Sequence, residues 1–347
     1  MTIHNVSRTL LFVTIGHDGQ FKIISGIYHN HELYHLSYLR PSIWMVFYFE
    51  AIMKYRSGYT LIRRHLRRYP RNLRHALLRE LSLLVTYEPV IGIMGKTGVG
   101  KSSLCNALFR SEVCTVNAVE ACTRQPQYVR LRFGTHYLTL VDLPGVGESI
   151  ARDAEYRELY QRLLPQLDMV LWVIKADDRA FSIEELFYRE VFAQSCGPLP
   201  PILWVLNQVD KTEPAEEWNW PSGQPSALQA QRITRKQASI SRQLSIPLTD
   251  ILPISVRGHY RLSTLVEVMI TRLPKHARSP LVPHLQFEYQ TPQVTSTASH
   301  SFGDTVVEAI DRVIDVAPLP QLARSALRAV THTVARIARQ AWSFFFG

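Results

Sequence analysis

The sequence predicts an α/β fold built on a mostly parallel sheet with helices on both faces. Three observations predict it. Apolar runs alternate with amphipathic helical stretches along the middle of the chain. One of those runs, "MVLWVIKA", is continuously apolar, as expected of a strand covered on both sides. A glycine-rich turn, "GKTGVGKS", sits between the first such strand and the helix after it.

The elements follow in order. Residues 1–58 form a segment in which "LLFVTIGHDGQFKIISGIYH" alternates weakly around a His-Asp-Gly turn and reads as a β-hairpin. His29, His31 and His35 cluster there, but no Cys or carboxylate completes a convincing metal set. Residues 42–53, "SIWMVFYFEAIM", are strongly apolar yet too short to span a bilayer, which takes about 20 residues. Residues 59–86 read as one basic amphipathic helix with Leu73, Leu77, Leu81 and Leu84 on its apolar face. Strand "PVIGIM" leads to the glycine turn and a helix from Lys101 to about Phe109. Strands "QYVRLRF" and "HYLTLVD" follow, then a helix near 151–163 and strand "MVLWVIKA". A helix near 183–194, strand "ILWVLNQ", a helix near 226–243, strand "ILPIS" and a helix near 261–272 complete a domain over residues 87–277. Residues 278–302, rich in Pro, Ser and Thr, read as a linker, and 303–347 as a helical amphipathic tail.

Charge is unevenly spread. From Lys54 to Glu80 nine Lys or Arg face one acid, and from Gln321 to the end there are four Arg and no acid. These two flanks account for the whole formal excess of +10, so the middle of the chain is nearly neutral. Four cysteines without a CxxC pair or zinc spacing read as reduced thiols of a cytoplasmic protein.

Gly95-x-x-x-x-Gly100-Lys101-Ser102 is a phosphate-binding loop in its required context, after a strand and before a helix. Backbone N–H groups of Gly95, Lys96, Thr97, Gly98, Val99, Gly100, Lys101, Ser102 and Ser103 are placed to wrap phosphates, with the helix N-terminus aimed at the same point. Lys101 bridges the terminal phosphates and Ser102 binds Mg²⁺. "VDLPGVG" ends a strand with Asp142, placed to hold Mg²⁺ through water, and Gly145, whose N–H is placed to sense a γ-phosphate. "WVLNQVDK" ends another with Asn207, Gln208 and Asp210, the carboxylate suited to guanine's two N–H donors. "ILPISVR" ends a third, where backbone at Ser255 and Val256 can contact the guanine oxygen. Open α/β sheets bind ligands at these C-terminal strand ends.

With "YEPVIGIMGKTGVGKSSLCNALF", "ACTR", "VDLPGVGES" and "LWVIKADDRA", residues 87 to about 275 resemble a phosphate-loop GTPase of the Era/TrmE-like group. They are most similar to the bacterial, often prophage-borne, YfjP-like GTPases, grouped by kinship with ribosome-binding GTPases. The resemblance implies GTP and GDP as ligands, Mg²⁺ as cofactor, and Thr123 of "ACTR" as the switch threonine that closes on Mg²⁺ and γ-phosphate. Thr123 thus joins Lys101 and Gly145 as catalytic, and Ser102 and Asp142 as a metal ligand. Two departures stand out. Gln208 replaces the lysine of the usual Asn-Lys-x-Asp motif, which is expected to weaken the tie between the base and the phosphate loop. Val146 stands where Ras-like enzymes place a water-orienting glutamine, and Gly98 where some relatives place a potassium-holding asparagine. Slow intrinsic hydrolysis is expected, with acceleration from a partner, a homodimer or another residue.

Two function classes remain open at this level. One is a GTP switch on ribosome or RNA, its basic helix contacting phosphates. The other is a membrane-peripheral GTPase of immunity-related or septin-like type, held at an anionic inner-membrane surface by its basic flanks and by Trp342, Phe344, Phe345 and Phe346. Each flank has a plainer reading as a helix packed on the protein itself. Sequence-specific DNA binding is not expected.

Overall fold

The computed structural model describes residues 8–15, 21–29, 32–35, 56–110, 112–114, 126–143, 158–178, 182–192 and 198–347. The chain divides into two compact units, residues 1–54 and 55–347. In the first, β1 (Arg8–Ile15), β2 (Phe21–His29) and β3 (Glu32–His35) form an antiparallel sheet in that order. Register runs from Arg8 opposite Tyr28 to Ile15 opposite Phe21, so the expected hairpin is present.

In the second unit, the basic run expected as one helix is two. Residues 56–65 are helical, and α1 (Arg71–Val85) begins only after a short 3₁₀ turn. Pro70 is the reason. It disfavours the helical region for the residue before it, and Tyr69 is extended at φ −86°, ψ 149°. The apolar face of α1 is Leu73, Leu77, Leu81 and Val85, with Leu84 only half-buried.

The main sheet runs β10–β9–β8–β4–β7–β6–β5. Here β4 is Val90–Met94, β5 Glu112–Cys114, β6 Gln127–Phe133 and β7 His136–Asp142. Strand β8 is Met169–Lys175, β9 Ile202–Asn207 and β10 Ile251–Pro253. From β10 to β7 neighbours are parallel, while β6 and β5 add an antiparallel edge. The continuous apolar run of β8 is explained by its two covered faces. Met169, Leu171 and Val173 point to one core and Val170, Trp172 and Ile174 to the other. The second core also holds α3 (Ser182–Phe192) and α4 (Ala227–Leu244), with Trp172 and Trp204 stacked at 4.2 Å between centroids.

The first core is larger because the C-terminal helices join it. After α5 (Leu262–Arg272) come α6 (Lys275–Leu281), α7 (Pro292–Val316) and α8 (Gln321–Phe346). The linker expected over 278–302 is therefore a packed, helical part of the domain, and the tail expected from 303 begins inside α7. The composition misleads because its turn-forming residues act as caps and buried donors. Thr291 caps α7 by accepting from the Val294 N–H, with Pro292 at the first helical position. Ser279 donates to the Ala298 carbonyl (2.8 Å) and accepts from Trp342 Nε1 (2.8 Å), while Leu281, Val282 and Leu285 are fully buried.

Most of the aromatic end of α8 lies in this core, while Phe344 stays exposed. Trp342, Phe345 and Phe346 are at most 7% exposed, packed on Phe302, with Tyr59 edge-on to Phe345. Arg328 pairs with Asp315, and Arg324 donates to the Ala317 carbonyl at 3.1 Å. The apolar area that lipid attachment would use is thus largely committed internally. Among the described residues, no helix is long and apolar enough to cross a membrane.

Helix α8 also grips the start of β7. His136 Nε2–H donates to the Phe345 carbonyl (2.6 Å), and its ring lies 5.2 Å from that of Phe346. Nearby, Arg110 donates from Nε to the Pro283 carbonyl (2.7 Å), its guanidinium 3.5 Å from the Phe133 ring and 3.9 Å from that of Phe287. His284 is fully buried with neither ring nitrogen hydrogen-bonded. Burial, with His136 and Arg110 adding to it, pushes its pKa down to about 3, and burial lowers that of His136 too.

Both histidines are neutral in the folded chain and protonate below about 6.5 once unfolded. The His284 contribution is therefore full above about pH 6.5 and falls as pH drops from there toward about 3, by up to about 1.4 kcal/mol per pH unit, and His136 acts in the same direction. His284→Leu removes an unpartnered polar group, so it should cost little at neutral pH and flatten this acid limb. Denaturant unfolding at several pH values checks it, and an unchanged slope would contradict the assignment.

Candidate nucleotide-binding site

The loop between β4 and α2 (Lys101–Leu108) owes its shape to two positions where a side chain cannot stand. Gly95 has φ +138°, and a Cβ there would lie 2.2 Å from the Val173 carbonyl oxygen of β8. Gly100, the residue before α2, has φ +94°, and a Cβ would lie 2.6 Å from Asn207 Nδ2. Both glycines thus let the loop press against the C-terminal ends of neighbouring strands. Val99 is buried and anchors the loop in the first core, while Thr97 is exposed.

Lys101 folds back across the loop. Its Nζ donates to the carbonyls of Gly95 (2.9 Å) and Lys96 (3.4 Å) and lies 3.8 Å from the Asp142 carboxylate. Lys96 pairs with Asp178 at 3.3 Å. No acid or capping side chain occupies the first turn of α2, so its N–H groups and positive helix end face the loop uncompensated. Ser102 and Ser103 are exposed on that turn. A concave run of backbone donors with one ammonium suits a polyphosphate.

Asp142 ends β7. Its Oδ1 is buried without a hydrogen-bond donor, and burial raises the carboxyl pKa against the opposing pull of Lys101. A carboxylate oxygen that no hydrogen-bond donor reaches and an exposed serine hydroxyl are oxygen donors that suit a hard divalent cation, so Asp142 and Ser102 would hold Mg²⁺. The cation would supply charge neutralisation for the phosphates. Beneath them the Cys105 thiol is pushed up to about 12, first by burial and then by Asp142, and is unreactive.

The other end is built by β9 and β10. Asn207 is buried and donates from Nδ2 to the Val99 carbonyl (2.8 Å). Gln208, in the left-handed region at φ 61°, donates from Nε2 to the Gly98 carbonyl (3.0 Å) and accepts from Lys211 Nζ (2.8 Å). The sequence predicts that losing lysine at 208 weakens the tie to the phosphate loop; here the glutamine amide makes that tie. Asp210 is buried, and its Oδ1 accepts from Ser255 Oγ (2.6 Å), which itself accepts from the Gly258 N–H (2.8 Å). Ser255 and Tyr260 exchange backbone bonds, closing the loop that carries Val256. Ser255 leaves lone pairs on both Asp210 oxygens for further donors.

The structure thus gathers Gly95 to Ser103, Asp142, Asn207, Gln208, Asp210 and Ser255 at one edge of the sheet. Thr123, Gly145 and Val146 lie outside the described residues. Sequence reading missed the role of Gln208 as a lock and the pairing of Lys96 with Asp178. It also missed Arg257, which follows Val256 and lies over the Trp220 ring at 4.5 Å. Only the adjacency of Gln208 to Asn207 hinted at any of them.

Residues 90–208 match the family described as 50S ribosome-binding GTPase. The chain is 43% identical to the Escherichia coli K12 protein YkfA over 277 residues, 80% of this chain and 94% of YkfA. It is likewise 43% identical to YfjP of the same strain over 270 residues, 78% of this chain and 92% of YfjP. Among solved structures, Aquifex aeolicus Era with GDP and aluminium fluoride is similar over 53% of this chain and 56% of that one, at 23% identity and TM-score 0.37.

Lys101→Ala should lower affinity for a GTP analogue by about tenfold to a hundredfold, the worth of one or two charge-assisted bonds, with circular dichroism unchanged. Gln208→Leu should release nucleotide severalfold faster, because the Gly98 carbonyl loses its donor. Stopped-flow with a fluorescent GTP analogue measures both, and wild-type kinetics in either variant would contradict the assignment.

Proposed function

Because the chain belongs to the family of the Escherichia coli proteins YkfA and YfjP, with its ribosome-binding-type GTPase domain, we propose that it is a Mg²⁺-dependent, slowly hydrolysing GTP switch that works on ribosome or RNA. One observation carries the nucleotide part. Asn207 and Gln208 tie the base-reading strand end to the phosphate loop, leaving the Asp210 carboxylate, oriented by Ser255, at the end of the same groove.

The chemistry follows from those parts. A carboxylate accepts from guanine's ring N–H and exocyclic amine, whereas adenine presents an acceptor at the ring position and is repelled. Lys101 and the N–H groups of the loop and of α2 hold the phosphates, so charge on the γ-phosphoryl is stabilised by groups already in place. Slow turnover is supported by the residues that are absent by identity, with Val146 and Gly98 offering neither an amide for water nor one for a potassium ion.

The switch reading is supported by connectivity. Strand β6 starts shortly after Thr123, β7 ends in Asp142 just before Gly145, and α8 holds the tip of this hairpin at His136. A change at either loop would reach the C-terminal helices through two paired strands. The RNA part is supported by the family description and by the basic flank between Lys54 and Glu80.

Asp210→Asn converts the paired acceptor into a mixed donor and acceptor. Affinity for GTP should fall by about a hundredfold, and xanthosine triphosphate should become the better ligand. Competition of unlabelled GTP, ATP and xanthosine triphosphate against a labelled analogue tests this. Equal displacement by ATP and GTP in the wild type would refute guanine recognition.

A further inference from the structure

The basic run between Lys54 and Glu80 is concave. The break at Tyr69–Pro70 brings helical residues 56–65 and the start of α1 around one cleft of about 280 Å³, lined by Thr60, Arg63, Arg64, Arg67 and Arg74. Four of those five side chains are guanidinium groups, and none pairs with a carboxylate among the described residues. The acid of this stretch, Glu80, faces Arg312 instead, at 3.9 Å. Arg63, Arg64 and Arg67 are exposed and Arg74 is half-buried. Like charges gathered in one concavity repel, and an anion bound there removes that cost.

The first turn of α1 adds to the same potential. Its capping position is Pro70, which has no side-chain acceptor, and no acid lies in the turn that leads to Arg74. The free N–H groups and the positive end of a 15-residue helix therefore stand beside the guanidinium groups.

We propose that this cleft binds the phosphodiester backbone of a folded RNA, an inference that rests on reading the protein as an RNA-associated GTPase. Arginine at all four cationic positions favours phosphate, because the planar guanidinium fork meets two phosphate oxygens at once. Carried on two helical arms, the forks meet successive phosphates along a curved backbone. A lipid surface is less well matched. No large exposed apolar side chain lines the cleft, the exposed Leu83 of α1 lying well beyond Arg74, and at the aromatic end of α8 Trp342, Phe345 and Phe346 are buried, with Phe344 alone exposed. Interfacial binding needs such apolar groups alongside charge.

The test uses the full chain and a fluorescein-labelled RNA hairpin, followed by fluorescence anisotropy at several salt concentrations with GDP or a GTP analogue. The double variant R64Q/R67Q should bind the hairpin about tenfold or more weakly. Its salt dependence should be shallower by about one unit in log–log slope per arginine lost. R64K/R67K, which keeps charge and loses the fork, should restore the salt slope and only part of the affinity. Binding of the labelled GTP analogue, measured on the same samples, should be unchanged in both. Hairpin binding that survives R64Q/R67Q at full strength overturns the cleft assignment alone. A wild type that binds GTP but no hairpin in either nucleotide state overturns the RNA-associated reading together with it. Wild-type binding to phosphatidylglycerol vesicles in place of the hairpin would assign the cleft to lipid and overturn the proposal.

Discussion

The approach of the phosphate loop to the ends of β8 and β9, with no Cβ in between, is the constraint on which the rest of the site depends. At Gly95 the chain leaves β4 against the Val173 carbonyl, and at Gly100 it enters α2 against the Asn207 amide. Those contacts place the Asn207 donor on the Val99 carbonyl and the Gln208 donor on that of Gly98. The phosphate loop and the proposed base-reading strand end are therefore one hydrogen-bonded unit, although the two stretches lie over 100 residues apart in the chain. A side chain at either glycine would push the loop from the strand ends and separate the halves of the groove.

The same economy of contact links the groove to the distant end of the molecule. Strand β7 carries Asp142 at the groove and His136 at the opposite end, six residues away. At that far end the helix α8 backbone accepts the His136 proton, and its terminal rings close the core over it. Trp342, Phe345 and Phe346 therefore hold the sheet, α7 and helical residues 56–65 together. Burying three such side chains contributes several kcal/mol, at about 1.5–3 kcal/mol each. A chain end that looks adhesive in isolation is a structural keystone here, and its arginines are partly engaged by Asp315 and the α7 terminus.

Charge then sorts by location. The arginines of α8 pack along a helix whose apolar side is covered, whereas those around the Pro70 break share a cleft without acids. Two arginine-rich flanks give different surfaces because one folds onto the core and the other bends around a proline.

Much of this protein was legible in its sequence, and the reason is local. Glycine, lysine and serine at fixed spacing dictate a loop whose geometry spans a few residues, and a period of two or 3.6 dictates strands and helices within single segments. Thus Lys101, Asp142, Asn207, Asp210 and Ser255 could be located, and β6 and β7 bounded, before any fold was seen. Tertiary structure alone decided what pairs across long separations. It made residues 278–302 part of a packed helical domain, because buried partners, Ala298 and Trp342, satisfy Ser279, which composition assigns to a linker. It let Gln208 replace a lysine, because the Gly98 carbonyl lies within reach of a shorter amide. It also buried Phe345 and Phe346 at the end of α8, since Phe302, Tyr59 and His136 offer them a dry surface which no single segment of sequence reveals.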